Sequence, residues 1–228
     1  MNLTLVLDLA LSAHPERVAV TCAGQSVTYG ELDHLVRGVA ARLVADGNRA
    51  VVHVGPSSPA LPVALFAAAR AGVPFVPLNY RLSRDQLEAL VAEQPDSLVV
   101  NVGDDLEAWA GDADLAPDMP TDEDLVAVLL YTSGTTAAPK AAVLRHRHLM
   151  AYLFGTVEFG AAAPDEAALV TVPPYHVAGV TNLVSNLYAG RRVVYLEAFD
   201  PASWVETVRR EAITQAMVVP TMLARLVE

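Results

Sequence analysis

Short apolar runs alternate with amphipathic stretches along nearly the whole chain. The runs at 51–54 and 75–78 are typical of buried strands, and residues 62–71 have the small-residue composition of a packed helix. This alternation predicts parallel strands joined by crossover helices, which is the pattern of an α/β fold.

Capping residues mark the starts of two predicted helices. Thr28 and Glu31 have the spacing of a capping box ahead of a helix with one apolar face, and Gly47 is placed to end that helix. Ser83 and Gln86 repeat the spacing before a second helix. The acidic residues 103–124 predict a solvated connection, because no EF-hand spacing occurs among them.

The composition indicates which binding partners and which cellular location are expected. The chain has 228 residues, 53% of them hydrophobic, and a formal net charge of −11, so no general nucleic-acid or anionic-membrane surface is expected. The single cysteine, Cys22, excludes an internal disulfide and is interpreted as a packed thiol.

The N-terminal segment does not resemble a secretory signal, because no basic residue precedes Arg17 and Asp8 interrupts the first apolar run. Since no apolar stretch is long enough to span a bilayer, we expect a cytoplasmic protein.

The stretch YTSGTTAAPK, residues 131–140, follows the apolar run LVAVLL. Hydroxyls and unencumbered backbone N–H groups suit phosphate oxygens, and glycine allows close approach of the backbone, so this loop predicts a polyphosphate site. A Walker P-loop would have glycine before the lysine and a hydroxyl after it. Pro139 and Ala141 occupy those places, which argues against that class of nucleoside triphosphatase.

Tyr131 to Thr136, followed by Pro139 and Lys140, resemble the signature loop of the adenylate-forming superfamily, which includes acyl-CoA synthetases and fatty acyl-AMP ligases. Two further stretches agree with this resemblance. LRHRHL is similar to the family's helix start after the lysine, and VPPYHVAGV is similar to the segment that lines the carboxylate pocket. The resemblance covers nearly the whole chain.

The resemblance implies an ATP- and Mg²⁺-dependent ligase that joins a carboxylic acid, expected to be a fatty acid, to AMP and then to the thiol of CoA or a carrier protein. Lys140 would supply a point charge to the phosphates and is the expected catalytic residue. His176 and Gly179 match the acyl pocket. The remaining phosphate-binding positions implied by the family are Thr132, Ser133, Gly134, Thr135 and Thr136.

The family fold implies two parallel-sheet subdomains, the second of them incomplete in this chain. We expect residues 1–49 to begin this second, split subdomain, residues 50–200 to form the subdomain with the phosphate loop and part of the acyl pocket, and residues 201–228 to return to the split subdomain. The family's adenine-binding, hinge and C-terminal lysine segments do not appear, so we expect an N-terminal part of a longer enzyme, inactive alone. Apolar surface on the unfinished subdomain would favour self-association.

Departures from the family pattern and simpler interpretations leave alternatives open. The family usually has glycine at Ala137 and often at Ala141, and alanine resists positive φ. Lys140 could be a surface lysine after a tight turn, and His176 could serve a buried turn. A non-catalytic binding or scaffold protein derived from the same family is therefore the second hypothesis.

Overall fold

The computed structural model describes residues 1–101, 103–132 and 140–227, in which helices and strands alternate. The helices are Thr4–Ala13 (α1), Tyr29–Ala45 (α2), Ala60–Ala71 (α3), Arg84–Ala92 (α4), Leu106–Trp109 (α5), His146–Thr156 (α6), Val177–Tyr188 (α7), Pro201–Arg210 (α8) and Pro220–Val227 (α9). The strands are Val18–Cys22 (β1), Gln25–Thr28 (β2), Ala50–Val54 (β3), Phe75–Leu78 (β4), Ser97–Asn101 (β5), Val126–Thr132 (β6), Lys140–Arg145 (β7), Ala167–Val170 (β8), Arg192–Tyr195 (β9) and Gln215–Ala216 (β10).

The strands form two sheets in which parallel pairing dominates. Sheet A has the order β10-β8-β9-β1-β2, and sheet B has the order β5-β3-β4-β6-β7. Antiparallel pairing occurs between β1 and β2 in sheet A and between β6 and β7 in sheet B; the other described pairs are parallel. The predicted α/β fold with two mainly parallel sheets is confirmed.

The two sheets divide the chain differently from the predicted ranges. Residues 50–200 were expected to form one layer, yet sheet B uses strands only from 50–145. Strands β8 and β9 lie in sheet A, where β9 pairs in parallel with β1. The chain thus passes from sheet B to sheet A through α6. Residues 50–200, which were expected to form one subdomain, therefore supply strands to both sheets.

The main apolar core lies between the two sheets, and smaller clusters cover their outer faces. In β3, Val51 belongs to the central core, whereas Ala50 and Val52 face the cluster that contains Leu90 of α4. In β9, Tyr195 belongs to the central core and Val194 to the cluster with Trp204 of α8. Because neighbouring strand residues point to opposite faces, strands covered on both sides are apolar at successive positions.

Both predicted capping boxes are present. The Thr28 side chain accepts the Glu31 N–H at 3.2 Å, and the Glu31 carboxylate accepts the Thr28 N–H at 2.8 Å. Ser83 and Gln86 make the corresponding pair at the start of α4. Within the described ranges, no helix combines the length and the apolar character that crossing a membrane requires.

His146, the first residue of α6, holds the N-terminal segment in the core. Its side chain is fully buried, and its Nδ1 accepts the Leu3 N–H at 3.2 Å. Its Nε2 is buried and has no hydrogen-bond partner among the described residues. Burial, with a smaller effect of the Met1 ammonium, lowers the pKa of His146 from 6.5 to about 4, while Asp122 opposes the shift.

Acidification should therefore destabilise the protein through His146. Protonation is easier in the unfolded chain, so the stabilising effect of a neutral His146 is complete above pH 6.5 and is lost as the pH falls toward 4. The expected loss is roughly 3 kcal/mol of unfolding free energy. Urea unfolding at several pH values should show a shallower pH dependence for His146→Gln, whose amide oxygen can accept the Leu3 bond without titrating. Parallel curves for the two proteins would exclude this role.

Candidate active site

The predicted phosphate loop connects two strands at the carboxyl edge of sheet B. Thr132 is the last residue of β6, Lys140 is the first of β7, and the two are paired Cα partners in the antiparallel ladder. Ser133, Gly134, Thr135 and Thr136 lie outside the described residues, as does Ala137. The structure therefore shows where the predicted loop begins and ends.

Lys140 is exposed at the end of this hairpin and is the only lysine in the chain. Strand β4 runs parallel to β6, with Phe75 paired to Val128, so the end of β4 lies beside the end of β6. Ligands of open parallel sheets bind beyond the carboxyl ends of the strands. The lysine therefore stands at the edge where an anionic ligand is expected.

Tyr131 anchors the strand that enters the loop. Its hydroxyl donates to Glu93 Oε2 at 2.9 Å and accepts from Gln94 Nε2 at 3.1 Å, which ties β6 to the residues after α4. Burial raises the pKa of Tyr131, and the bond from Gln94 opposes part of that rise. The hydroxyl therefore serves as a fixed hydrogen-bonding group at neutral pH.

Ala141 occupies a position where the family pattern often has glycine, yet the backbone there does not require one. It lies inside β7 and pairs with Tyr131 in the antiparallel ladder. Extended backbone accepts any side chain, and the Cβ of Ala141 lies on an exposed part of the strand. The resistance of alanine to positive φ therefore has no consequence at residue 141.

His176 lies at the carboxyl edge of sheet A, in the turn between β8 and α7. Its N–H donates to the Pro173 carbonyl at 3.2 Å, and its exposed side chain does not cap the helix. Gly179 is buried behind this turn: a Cβ added there would lie 2.4 Å from the Pro173 oxygen. Gly179 thus lets α7 approach the turn closely, and its contact with an acyl group stays a prediction.

A ring contact joins the edges of the two sheets. Tyr80 follows β4, and its ring lies 5.6 Å from that of Tyr175, with an interplanar angle of 71°. The Tyr175 ring in turn lies 4.6 Å from the His176 ring. Tyr80 follows a strand that pairs with β6, so this contact links the sheet that carries Lys140 to the turn that carries His176.

Sequence reasoning missed Tyr80 altogether and recorded Tyr175 only as part of a motif. A signal was present, because Tyr80 stands two residues after the strand that ends at Leu78. Side chains just beyond parallel strands are site candidates by position alone. Their mutual contact depends on how the two sheets pack, which a strand pattern does not contain.

Within the described ranges, no three or more His, Cys, Asp or Glu side chains are grouped to hold a metal ion.

The chain belongs to the AMP-binding enzyme family, whose model matches residues 7–228. Members of this adenylate-forming family include acid–CoA and acid–carrier ligases. The predicted membership of the adenylate-forming superfamily is thereby confirmed.

Two curated relatives illustrate the range of acids within this family. Feruloyl-CoA synthase of Amycolatopsis sp is 34% identical over an alignment 229 residues long. This alignment covers 91% of the present chain and 46% of that protein. Fatty acid–[acyl-carrier-protein] ligase ScoC of Streptomyces coeruleorubidus is 30% identical, with coverage of 96% and 49%. The chain spans about half the length of these relatives.

Solved structures of the family share this fold. ATP-bound MatB from Rhodopseudomonas palustris matches with a TM-score of 0.82 at 28% identity, covering all of this chain and 51% of that one. A Mycobacterium tuberculosis fatty acyl CoA synthetase matches with a TM-score of 0.84 at 20% identity, covering 99% and 50%, which shows the fold alone.

Proposed function

We propose that this chain forms part of a ligase that activates a carboxylic acid as its adenylate and passes the acyl group to a thiol. The observation that carries the proposal is the junction between the sheets, where Tyr80, just beyond a strand paired with β6, contacts Tyr175, whose ring also contacts His176. One side offers a cation next to the predicted phosphate loop. The other offers a turn suited to a carboxylic acid.

In the first step, a carboxylate oxygen attacks the α-phosphorus of ATP, and the bond to pyrophosphate breaks. The Lys140 ammonium would hold phosphate oxygens and offset the charge that develops on them. The predicted loop donors Thr132, Ser133, Thr135 and Thr136 would share this role, with Gly134 allowing close backbone approach. Mg²⁺ bound to the nucleotide would neutralise further phosphate charge.

In the second step, a thiolate of CoA or of a carrier protein attacks the acyl carbon and releases AMP. His176 would line the acyl entrance, where its side chain is exposed. The named relatives act on feruloyl and fatty acyl groups, and another is an indoleacetate–CoA ligase. The fatty acid expected from the sequence is therefore one of several acids to compare.

The test uses the protein expressed from its complete reading frame, with ATP, Mg²⁺ and hydroxylamine as the acyl acceptor. Fatty, hydroxycinnamic, indoleacetic and dicarboxylic acids are supplied separately, and hydroxamate and AMP are measured. The proposal expects equal amounts of both products with at least one acid and neither product without ATP. A protein that binds ATP but yields no AMP with any acid would favour the non-catalytic binding or scaffold hypothesis.

A further inference from the structure

Tyr80 is held in a short turn at the carboxyl edge of sheet B. The Asn79 side chain accepts the Arg81 N–H at 3.1 Å, and the Asn79 carbonyl accepts the Leu82 N–H at 3.0 Å. An asparagine that bonds the backbone two residues on is a standard way to fix a turn. The direction in which Tyr80 leaves β4 is therefore set by its neighbours.

The opposing turn is equally constrained. The His176 N–H bonds Pro173, and the Gly179 N–H donates to the His176 carbonyl at 2.9 Å. Two prolines precede Tyr175 and restrict the backbone further. Since Gly179 packs directly on the Pro173 carbonyl, the turn has little room to shift relative to α7.

The His176 side chain makes no capping hydrogen bond at the start of α7, and its ring packs against that of Tyr175. Tyr175 lies against it on one side and meets Tyr80 edge to face on the other. Arg81 extends the series, with its guanidinium carbon 5.8 Å from the centre of the Tyr80 ring. Edge-to-face arrangements of this kind are favoured by the ring quadrupoles and are therefore directional.

The Tyr175 hydroxyl is not expected to act as an acid or a base. Burial raises the pKa of Tyr175, and the charge of Arg81 opposes only part of the effect. The hydroxyl keeps its proton at neutral pH. What the ring supplies is a surface of fixed orientation between Tyr80 and His176.

We propose that Tyr80 is a positioning residue that acts through Tyr175 to orient the His176 imidazole at the junction of the two sheets. Its ring, supplied by sheet B, restrains a side chain that belongs to sheet A. The orientation of His176 is thereby tied to the packing of the sheet that carries Lys140. The consequence for acid binding rests on the proposed function, whereas the orientation itself does not.

The first test is a proton NMR measurement of the six histidine side chains in protein labelled with ¹³C at Cε1. His176→Gln assigns the His176 signal, which should be displaced by the nearby Tyr175 ring. Tyr80→Leu should move that signal toward the unfolded-peptide position and leave the other five in place. Tyr80→Phe keeps the ring and should preserve the wild-type signal.

Two NMR results would overturn the proposal. One is an unchanged His176 signal in Tyr80→Leu, and the other is an equal displacement in Tyr80→Phe. Tyr152→Leu is the matched control, because Tyr152 is a 42% exposed tyrosine on α6. Tyr152→Leu should leave the His176 signal unchanged. This result would show that the signal responds to loss of the Tyr80–Tyr175 contact and not to loss of any surface tyrosine.

The second test measures adenylation by the protein from its complete reading frame. Tyr80→Leu should raise KM for the acid by roughly two- to tenfold, the change that one lost aromatic pair produces, with KM for ATP unchanged. Tyr80→Phe should restore the wild-type value. A parallel rise in both KM values would contradict positioning of the acid side alone. If no adenylation occurs at all, the proposed function fails, while the NMR measurement still decides the role of Tyr80.

Discussion

Replacement of Lys140 by alanine is expected to slow acid-dependent AMP formation by about 10²- to 10³-fold, as removal of one transition-state donor does in other enzymes. Lys140 begins β7 beside the end of β6, and no other lysine exists in the chain to replace it. The lost ammonium would leave the charge that develops on the phosphoryl group less well stabilised. Initial rates of pyrophosphate release at saturating ATP measure this effect.

A matched control for Lys140→Ala is Arg84→Ala. Arg84 is a cation on the surface of α4 whose side chain is 89% exposed and pairs with Glu88 one turn away. Arg84→Ala should retain the wild-type rate. Lys140→Arg should have a rate between those of the wild type and Lys140→Ala, because arginine keeps the positive charge but distributes it over a larger, planar group. An unchanged rate in Lys140→Ala would remove this lysine from the mechanism.

Replacement of Arg70 by alanine is expected to lower the free energy of unfolding by about 2–3 kcal/mol, between the cost of breaking an exposed ion pair and that of removing one partner of a fully buried pair, because Asp8 is half-buried. The Arg70 side chain is 9% exposed, with Nη2 3.0 Å from Asp8 and 3.9 Å from Asp33. Burial raises the pKa of Asp33, and Arg70 counteracts that rise. Alanine would leave two carboxylates close together without their cation.

Urea unfolding monitored by circular dichroism tests this expectation. Arg84→Ala again provides the comparison, because breaking its exposed pair with Glu88 should cost less than about 1 kcal/mol. Domains of this size are stabilised by only about 5–15 kcal/mol, so the Arg70 effect should be evident in the transition midpoint. Equal midpoints for the two variants would show that the buried group of Arg70, Asp8 and Asp33 contributes no more than a surface pair.

Local sequence features predicted the secondary structure well because their physical causes are local. The boxes at Thr28 and Ser83 require residues only three positions apart, and both form. The apolar run LVAVLL before the loop likewise lies in a strand, Val126–Thr132. These elements would be recognisable in any chain with the same spacing.

Sheet membership and contacts between distant residues could not be predicted in the same way. The apolar run of β8 resembles that of β4, yet β8 joins sheet A and β4 joins sheet B. Residue periodicity reports which positions are buried and carries no record of the partner strand. Arg70 with Asp8, and Tyr80 with Tyr175, are separated by 62 and 95 residues, so only the packed fold brings them together.

The position of an isotopic label in AMP provides the final test of the proposed chemistry. The protein from its complete reading frame is supplied with ATP, Mg²⁺ and an acid that carries ¹⁸O in both carboxylate oxygens, with hydroxylamine as acceptor. If the carboxylate attacks the α-phosphorus, each AMP formed keeps one ¹⁸O from the acid, which shifts its ³¹P signal. Unlabelled AMP, or label found in inorganic phosphate alongside ADP, would contradict adenylation at this site.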